Sequence, residues 1–306
     1  MADSLKKPPR LKPGDTIQII APASPFDREA FLRGVDRLKE WGFQVHYRDD
    51  IFSKKRYLAG GDVRRLEELQ QALSDPAIKA VFIARGGYGS GRLLPALEKW
   101  SPPREAKILL GYSDISSLLI FAKQYWHWVT FHGPVVAKDI GDRLGAKGQS
   151  ILKQVLTEPK PLGCLKPEGM VALNPGTARG PLVGGCLSLI HCGLGTPYQL
   201  KTEGCILYLE DVGELLYSLD RMLTHLRQAG LFKKIHGIII GPLKDAHDSP
   251  EVIQEMLKDV LGDLPVPIVA GFPSGHVDDS WTIPLGLPVT MDGAAGSVTF
   301  EEGAVL

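Results

Sequence analysis

The chain has 306 residues, with 35 basic and 35 acidic side chains and therefore no formal net charge. At 44% apolar and 23% charged residues it has the composition of an ordinary globular protein, which excludes wholesale disorder, and its length predicts roughly two domains. The balanced charge argues against the broad basic footprint of a nucleic-acid or anionic-membrane binder, while leaving room for a local charged pocket.

The chain starts polar and proline-rich, with no apolar stretch behind its lysines, so no targeting leader is expected there. Residues 16–20 read as a strand that stops at Ala21-Pro22. Asp27 stands where a helix cap belongs, and Gly42 stands where that helix should end. Residues 43–47 read as a second strand. A helix over 62–73 would put Val63, Leu66, Leu69 and Leu73 on one face. Residues 80–84 form a buried type of strand, glycines break the chain over 86–91, and a helix restarts over 93–100. Another apolar strand at 108–110 runs at once into a helix ending near Ala122. Such βαβα alternation implies a doubly wound, mostly parallel sheet.

The pattern weakens between Asp139 and Arg179, where Pro159, Pro161, Pro175 and Gly176 mark turns. The expected division is thus an N-terminal α/β domain over 1–140, a linker over 141–178, and a smaller mixed α/β domain over 179–306. Strands are expected at 206–209, 237–240 and 268–270, with helices over 215–230 and 250–262. From Thr282 onward the chain reads as short antiparallel strands. No run approaches the ~18 apolar residues needed to cross a bilayer. The four cysteines, Cys164, Cys186, Cys192 and Cys205, form no CxxC pair and have no histidine at zinc-ligand spacing. They read as reduced thiols of a cytoplasmic protein, and neither a metal nor another cofactor is expected.

Two segments carry candidate chemistry. Arg85-Gly-Gly-Tyr-Gly-Ser-Gly-Arg92 follows a strand and opens a helix, as phosphate loops do, yet it fits neither nucleotide fingerprint. It can equally be a bare turn, or a loop whose backbone N–H groups face an anion or oxyanion. Leu110-Gly-Tyr-Ser-Asp114 bends a strand sharply into a helix and presents Ser113 at the turn, although the usual G-x-S-x-G spacing is absent. The plainer alternative is that Ser113 or Asp114 caps the helix. A serine hydroxyl needs a base and an orienting acid. His276, in a loop just after a strand, is the leading base, with His127 and His132 as rivals; His225 and His46 read as structural or exposed. Glu210, at the end of an apolar strand, is the candidate acid, or else a helix cap or ion-pair partner.

Taken in order, these segments resemble the LD-carboxypeptidase family of serine peptidases (muramoyl-tetrapeptide carboxypeptidases), which includes microcin-C-immunity-like peptidases. The resemblance spans nearly the whole chain. It runs through Lys12-Pro-Gly-Asp-Thr16, Ala21-Pro-Ala-Ser-Pro25, Arg85-Gly-Gly-Tyr-Gly89, Gly111-Tyr-Ser-Asp114 and His132-Gly-Pro134. It continues through Leu182-Val-Gly-Gly185, Leu209-Glu-Asp-Val-Gly213, Asp220-Arg-Met-Leu223, Gly275-His276 and Pro284-Leu-Gly286. It implies a catalytic triad of Ser113 as nucleophile, His276 as base and Glu210 as orienting acid. The oxyanion is then expected at the backbone N–H groups of Asp114 and of Gly86 or Gly87, and Arg85 is a candidate for the substrate's terminal carboxylate or, equally, a brace for the loop. The implied reaction is hydrolysis of the L-to-D amide bond at the end of muropeptide tetrapeptides, releasing D-Ala, by a cytoplasmic homodimer. Alternatives are a related hydrolase of peptidyl-nucleotide conjugates or other amides, and a non-catalytic two-domain binding protein. One departure stands out: the family usually has Asn where this chain has Cys186. A buried thiol nucleophile at Cys186 is a remote rival, since no motif sets a base beside it.

Overall fold

A computed structural model describes residues 5–244 and 248–306; the first four residues of the polar start lie outside it. The elements in chain order are β1 (Thr16–Ile20), α1 (Arg28–Glu40), β2 (Gln44–His46), α2 (Asp62–Ser74), β3 (Ile78–Ile83), α3 (Leu94–Glu98), β4 (Ile108–Gly111), α4 (Ser116–Tyr125) and β5 (Thr130–His132). A π-helical segment (Val136–Arg143) and α5 (Ala146–Thr157) follow. Then come β6 (Gly163–Leu165), β7 (Val171–Asn174), β8 (Thr177–Cys186), α6 (Leu187–Cys192), β9 (Ile206–Val212), α7 (Leu216–Gln228), β10 (Gly237–Lys244), α8 (Pro250–Leu261), β11 (Ile268–Ala270), β12 (Ile283–Leu285), β13 (Pro288–Asp292) and β14 (Ser297–Phe300).

The chain divides into two compact units, one of residues 1–160, 278–284 and 303–306, the other of 161–277 and 285–302. The first holds a six-stranded sheet in the order β12-β5-β4-β3-β1-β2, with β5, β4, β3, β1 and β2 parallel. Its central strands β3 and β4 are nearly continuous apolar runs, as a parallel sheet buried on both faces requires. In α1 the Asp27 carboxylate accepts the Ala30 N–H at 2.8 Å, and Phe31, Val35 and Leu38 are buried.

The second unit holds an eight-stranded mixed sheet, ordered β6-β14-β13-β8-β9-β10-β11-β7. Strands β8, β9, β10 and β11 are parallel; β13 and β14 form an antiparallel hairpin beside β8, and β7 runs antiparallel to β11.

Three expectations need correction. The stretch read as a linker, 141–178, is structured: α5 buries Ile151, Leu152, Val155 and Leu156, β6 and β7 follow, and the unit boundary falls at 160/161. Strand β12 lies in the sheet of the first unit and not in a terminal antiparallel cluster. On α2 the buried face is Arg65, Glu68, Leu69, Ala72 and Leu73, while Val63 is 69% exposed. Arg65 and Glu68 point inward because the loops after β1 and β3 supply partners for them.

Candidate active site

In the first unit the neighbouring parallel strands β4, β3 and β1 release their chains at one sheet edge, where open α/β sheets carry their ligands. The Ala21–Ser24 segment leaves β1, the Arg85–Gly89 loop leaves β3, and Ser113 leaves β4. Ser113 has φ of +64°, a left-handed conformation that costs a non-glycine residue about 1–3 kcal/mol and marks the strained turn of a nucleophile elbow. Beside it Gly86 packs tightly: a Cβ there would lie 3.0 Å from Ser113 Cβ and 3.3 Å from its Oγ. Among the described residues, no protein acceptor takes the N–H of Gly86 or of Gly87.

Neighbouring groups hold both the elbow and the loop. The Asp114 carboxylate, buried, accepts the N–H of Gly89 at 3.2 Å and that of Ser90 at 2.8 Å. The hydroxyl of Ser90 donates to the Asp114 carbonyl at 2.6 Å. Ser24 donates its N–H to the Gly86 carbonyl, and its Oγ accepts the Tyr88 N–H at 3.0 Å. On the other side of Ser113, the Tyr112 hydroxyl donates to Asp139 at 3.3 Å, and burial pushes the Asp139 carboxyl above its ordinary pKa. The exposed Arg85 guanidinium donates to the Pro25 carbonyl at 2.8 Å, so it does brace a neighbouring loop.

In the second unit β8 to β11 also end at one edge. Tyr208 and Glu210 alternate onto one face of β9, as period-two geometry demands. The Tyr208 hydroxyl donates to the Ser274 carbonyl. The Glu210 Oε2 accepts Nδ1 of His276 at 2.7 Å and the His276 backbone N–H at 3.1 Å. Because a carboxylate only accepts, this contact places a proton on Nδ1, and in the neutral imidazole Nε2 then keeps its lone pair. Glu210 is fully buried and the His276 side chain is 14% exposed. The pair is thus shielded on the acid's side and open on the base's side.

The rival bases are placed otherwise. His132 is fully buried in β5 with its ring against Tyr112; His127 sits at a tight turn with φ of +58°. His225 lies on α7 within hydrogen-bond distance of His191, and His46 is exposed on β2. Cys186 is buried at the start of α6, with Sγ 3.6 Å from Asp211, and burial pushes its thiol pKa well up. That is the reverse of what a thiolate nucleophile needs. Asp211 accepts the Ser188 and Val212 N–H groups, a capping role, and burial raises its pKa.

Among the described residues no group of three or more His, Cys, Asp or Glu side chains could hold a metal ion, and no helix is long and apolar enough to cross a membrane. Sequence reasoning missed Arg65, Glu68, Asp139 and Tyr208. The first two look like ordinary surface charges of a helix, and nothing in their spacing marks them as buried.

Comparison with known proteins adds to this geometry. The sequence profile of the LD-carboxypeptidase N-terminal domain matches residues 17–133, and that of its C-terminal domain matches 179–291. A Streptomyces coelicolor protein bearing a carboxypeptidase name is 37% identical, over 98% of each chain. A Bacillus subtilis protein named a probable murein peptide carboxypeptidase is 35% identical, over 97% of this chain and 95% of its own. Among solved structures, an MccF-like protein from Bacillus anthracis matches with a TM-score of 0.86 at 29% identity, covering 96% of this chain and 99% of its own. A muramoyltetrapeptide carboxypeptidase from Oxalobacter formigenes matches with a TM-score of 0.80 at 27% identity, covering 94% and 98%.

Proposed function

Because the chain belongs to the LD-carboxypeptidase family and is a serine-type carboxypeptidase, we propose that it trims muropeptide tetrapeptides by hydrolysing their terminal L-to-D amide bond, with Ser113, His276 and Glu210 as its triad. The observation that carries this reading is the buried Glu210 carboxylate holding His276 by Nδ1, which leaves Nε2 as a base. The strained Ser113, packed against Gly86, supports it from the other unit.

In this mechanism Nε2 of His276 takes the Ser113 proton as Oγ attacks the scissile carbonyl. Glu210 keeps the imidazole in the productive tautomer and balances the imidazolium that forms. The N–H groups of Asp114 and of Gly86 or Gly87 meet the oxyanion, each worth about 3 kcal/mol of barrier. His276 then gives its proton to the departing amine, and water attacks the acyl-enzyme with the same imidazole as base. Arg85, exposed beside the oxyanion loop, meets the carboxylate of the leaving residue. The substrate class comes from the murein and muramoyltetrapeptide names of the relatives; release of D-Ala, and a cytoplasmic homodimer, come from the family resemblance.

The test is Ser113→Ala assayed on a panel of tetrapeptides ending in D- or L-residues. Loss of hydrolysis in a folded variant, with wild-type cleavage confined to D-terminated peptides, is expected. A variant that retained more than a few per cent of turnover would remove Ser113 from the mechanism. Cleavage of a peptidyl-nucleotide conjugate in preference to the tetrapeptides would move the substrate to the alternative class. Light scattering tests the dimer.

A further inference from the structure

Helix α2 carries two charged side chains that its amphipathic pattern should expose. Arg65 is 0% exposed and Glu68 1%. Burying a guanidinium is unfavourable unless specific partners replace its water, and a hydrophobic residue would serve packing better. The partners of Arg65 are informative. Its Nη1 donates to the carbonyls of Pro22 and Gly89, the latter at 2.8 Å, and its Nη2 donates to Asp62 at 2.6 Å. Glu68 in turn accepts the N–H of Ala21 at 2.8 Å and both terminal nitrogens of Arg64. Helix α2 therefore grips the two loops that leave β1 and β3.

The Gly89 residue is gripped from both sides. Arg65 holds its carbonyl, and the Asp114 carboxylate holds its N–H. Asp114 follows Ser113 directly, so a single carboxylate links the elbow to the glycine loop through Gly89 and Ser90. Gly89 has φ of +133°, and a Cβ there would lie 2.7 Å from Arg65 Nη1, so only glycine fits between the two charges.

We propose that the side chains of Asp114 and Arg65 are positioning residues for the oxyanion site: together they clamp Gly89 and so fix the Gly86 and Gly87 N–H groups relative to the Ser113 hydroxyl. The inference rests on Ser113 being the nucleophile, and it adds a role for the Asp114 side chain to that of its backbone. Oxyanion donors act through preorganisation, so a loop free to drift loses rate without losing ground-state binding.

The experiment is Asp114→Asn, assayed for kcat and KM on the tetrapeptide substrate per site labelled by a serine-directed phosphonate. Asparagine offers one acceptor and one NH2 group to two N–H donors, so one hydrogen bond becomes a repulsion. The expected result is a kcat about 100-fold lower with KM changed less than about threefold. Affinity for a peptide aldehyde, which forms the tetrahedral adduct, falls by the same factor as kcat/KM. Arg65→Lys, which keeps the charge but loses the fork, lowers kcat about tenfold with the same split. Should Asp114→Asn not fold, Ser90→Ala removes a second link between loop and elbow, and a kcat about tenfold lower is expected. Folded variants with kcat within twofold of wild type, or with kcat and aldehyde affinity unlinked, overturn the clamp. Ser113→Ala is run alongside: turnover in that variant defeats the nucleophile assignment instead, so the two failures are distinguishable.

Discussion

Gly275 has no space for a side chain because Glu210 occupies it: a Cβ at 275 would lie 2.3 Å from Glu210 Oε2. The residue also has φ of +100°, so its conformation alone favours glycine. Both facts serve the next residue, since the same Oε2 holds His276 by its Nδ1 and its backbone N–H. Gly275→Ala is therefore expected to push the carboxylate off the imidazole. It should lower kcat by at least about 100-fold and also reduce thermal stability, since a buried carboxylate loses a partner. An alanine variant with wild-type kcat would show that the pair is not needed in this geometry.

Glu210→Gln isolates charge from shape. The side chains are nearly isosteric, and the site is fully buried. The amide no longer stabilises imidazolium and no longer dictates its tautomer, so turnover should fall by about 10⁴-fold, as for orienting acids elsewhere. Circular dichroism and the unfolding midpoint check that the fold survives. If turnover per folded molecule is retained while stability drops, Glu210 is a structural ion-pair partner and no more.

Much of the fold around this site is legible in the sequence. Strand β1, the Asp27 cap and the sharp exit at Ser113 follow from local chemistry, because each depends on neighbours in sequence. What was not legible depends on distant partners. Arg65 is buried because Pro22 and Gly89 offer carbonyls to it, and those groups arrive from other strands. The inward turn of α2 in turn leaves Val63 exposed. Strand β12 has three residues, too short for periodicity to show which sheet it joins. Helix α5 did carry a signal in Ile151, Leu152, Val155 and Leu156, which the flanking prolines masked.

The cysteines should separate by burial. Cys164 is exposed, whereas Cys186 is 2% exposed with its thiol pKa pushed well up, first by burial and then by Asp211 and Glu210. Thiolate is the reactive species. A thiol reagent near pH 8 should therefore modify Cys164 in the folded protein and reach Cys186 only on unfolding, with hydrolysis unaffected by the first event. Peptide mapping reads the sites directly. Rapid native labelling of Cys186, with matching loss of turnover, would revive the thiol as a participant.

Lys107 gives the fold a pH dependence remote from the chemistry. The residue is 7% exposed, and its ammonium donates to the carbonyls of Ala72 and Asp75 at the end of α2, a favourable place for a cation. Burial nevertheless dominates, lowering its pKa from 10.5 to about 8, with Asp75 opposing. Between those two values the unfolded chain holds the proton more tightly than the folded one. Stability from this group is thus fully present above about 10.5 and is lost as pH falls toward 8. Lys107→Met removes the linkage. Relative to that variant, wild type should gain up to about 1.4 kcal/mol of stability per pH unit between pH 8 and 10. Denaturant unfolding of both proteins at matched pH measures the difference, and parallel profiles would mean that water reaches the ammonium in the folded state.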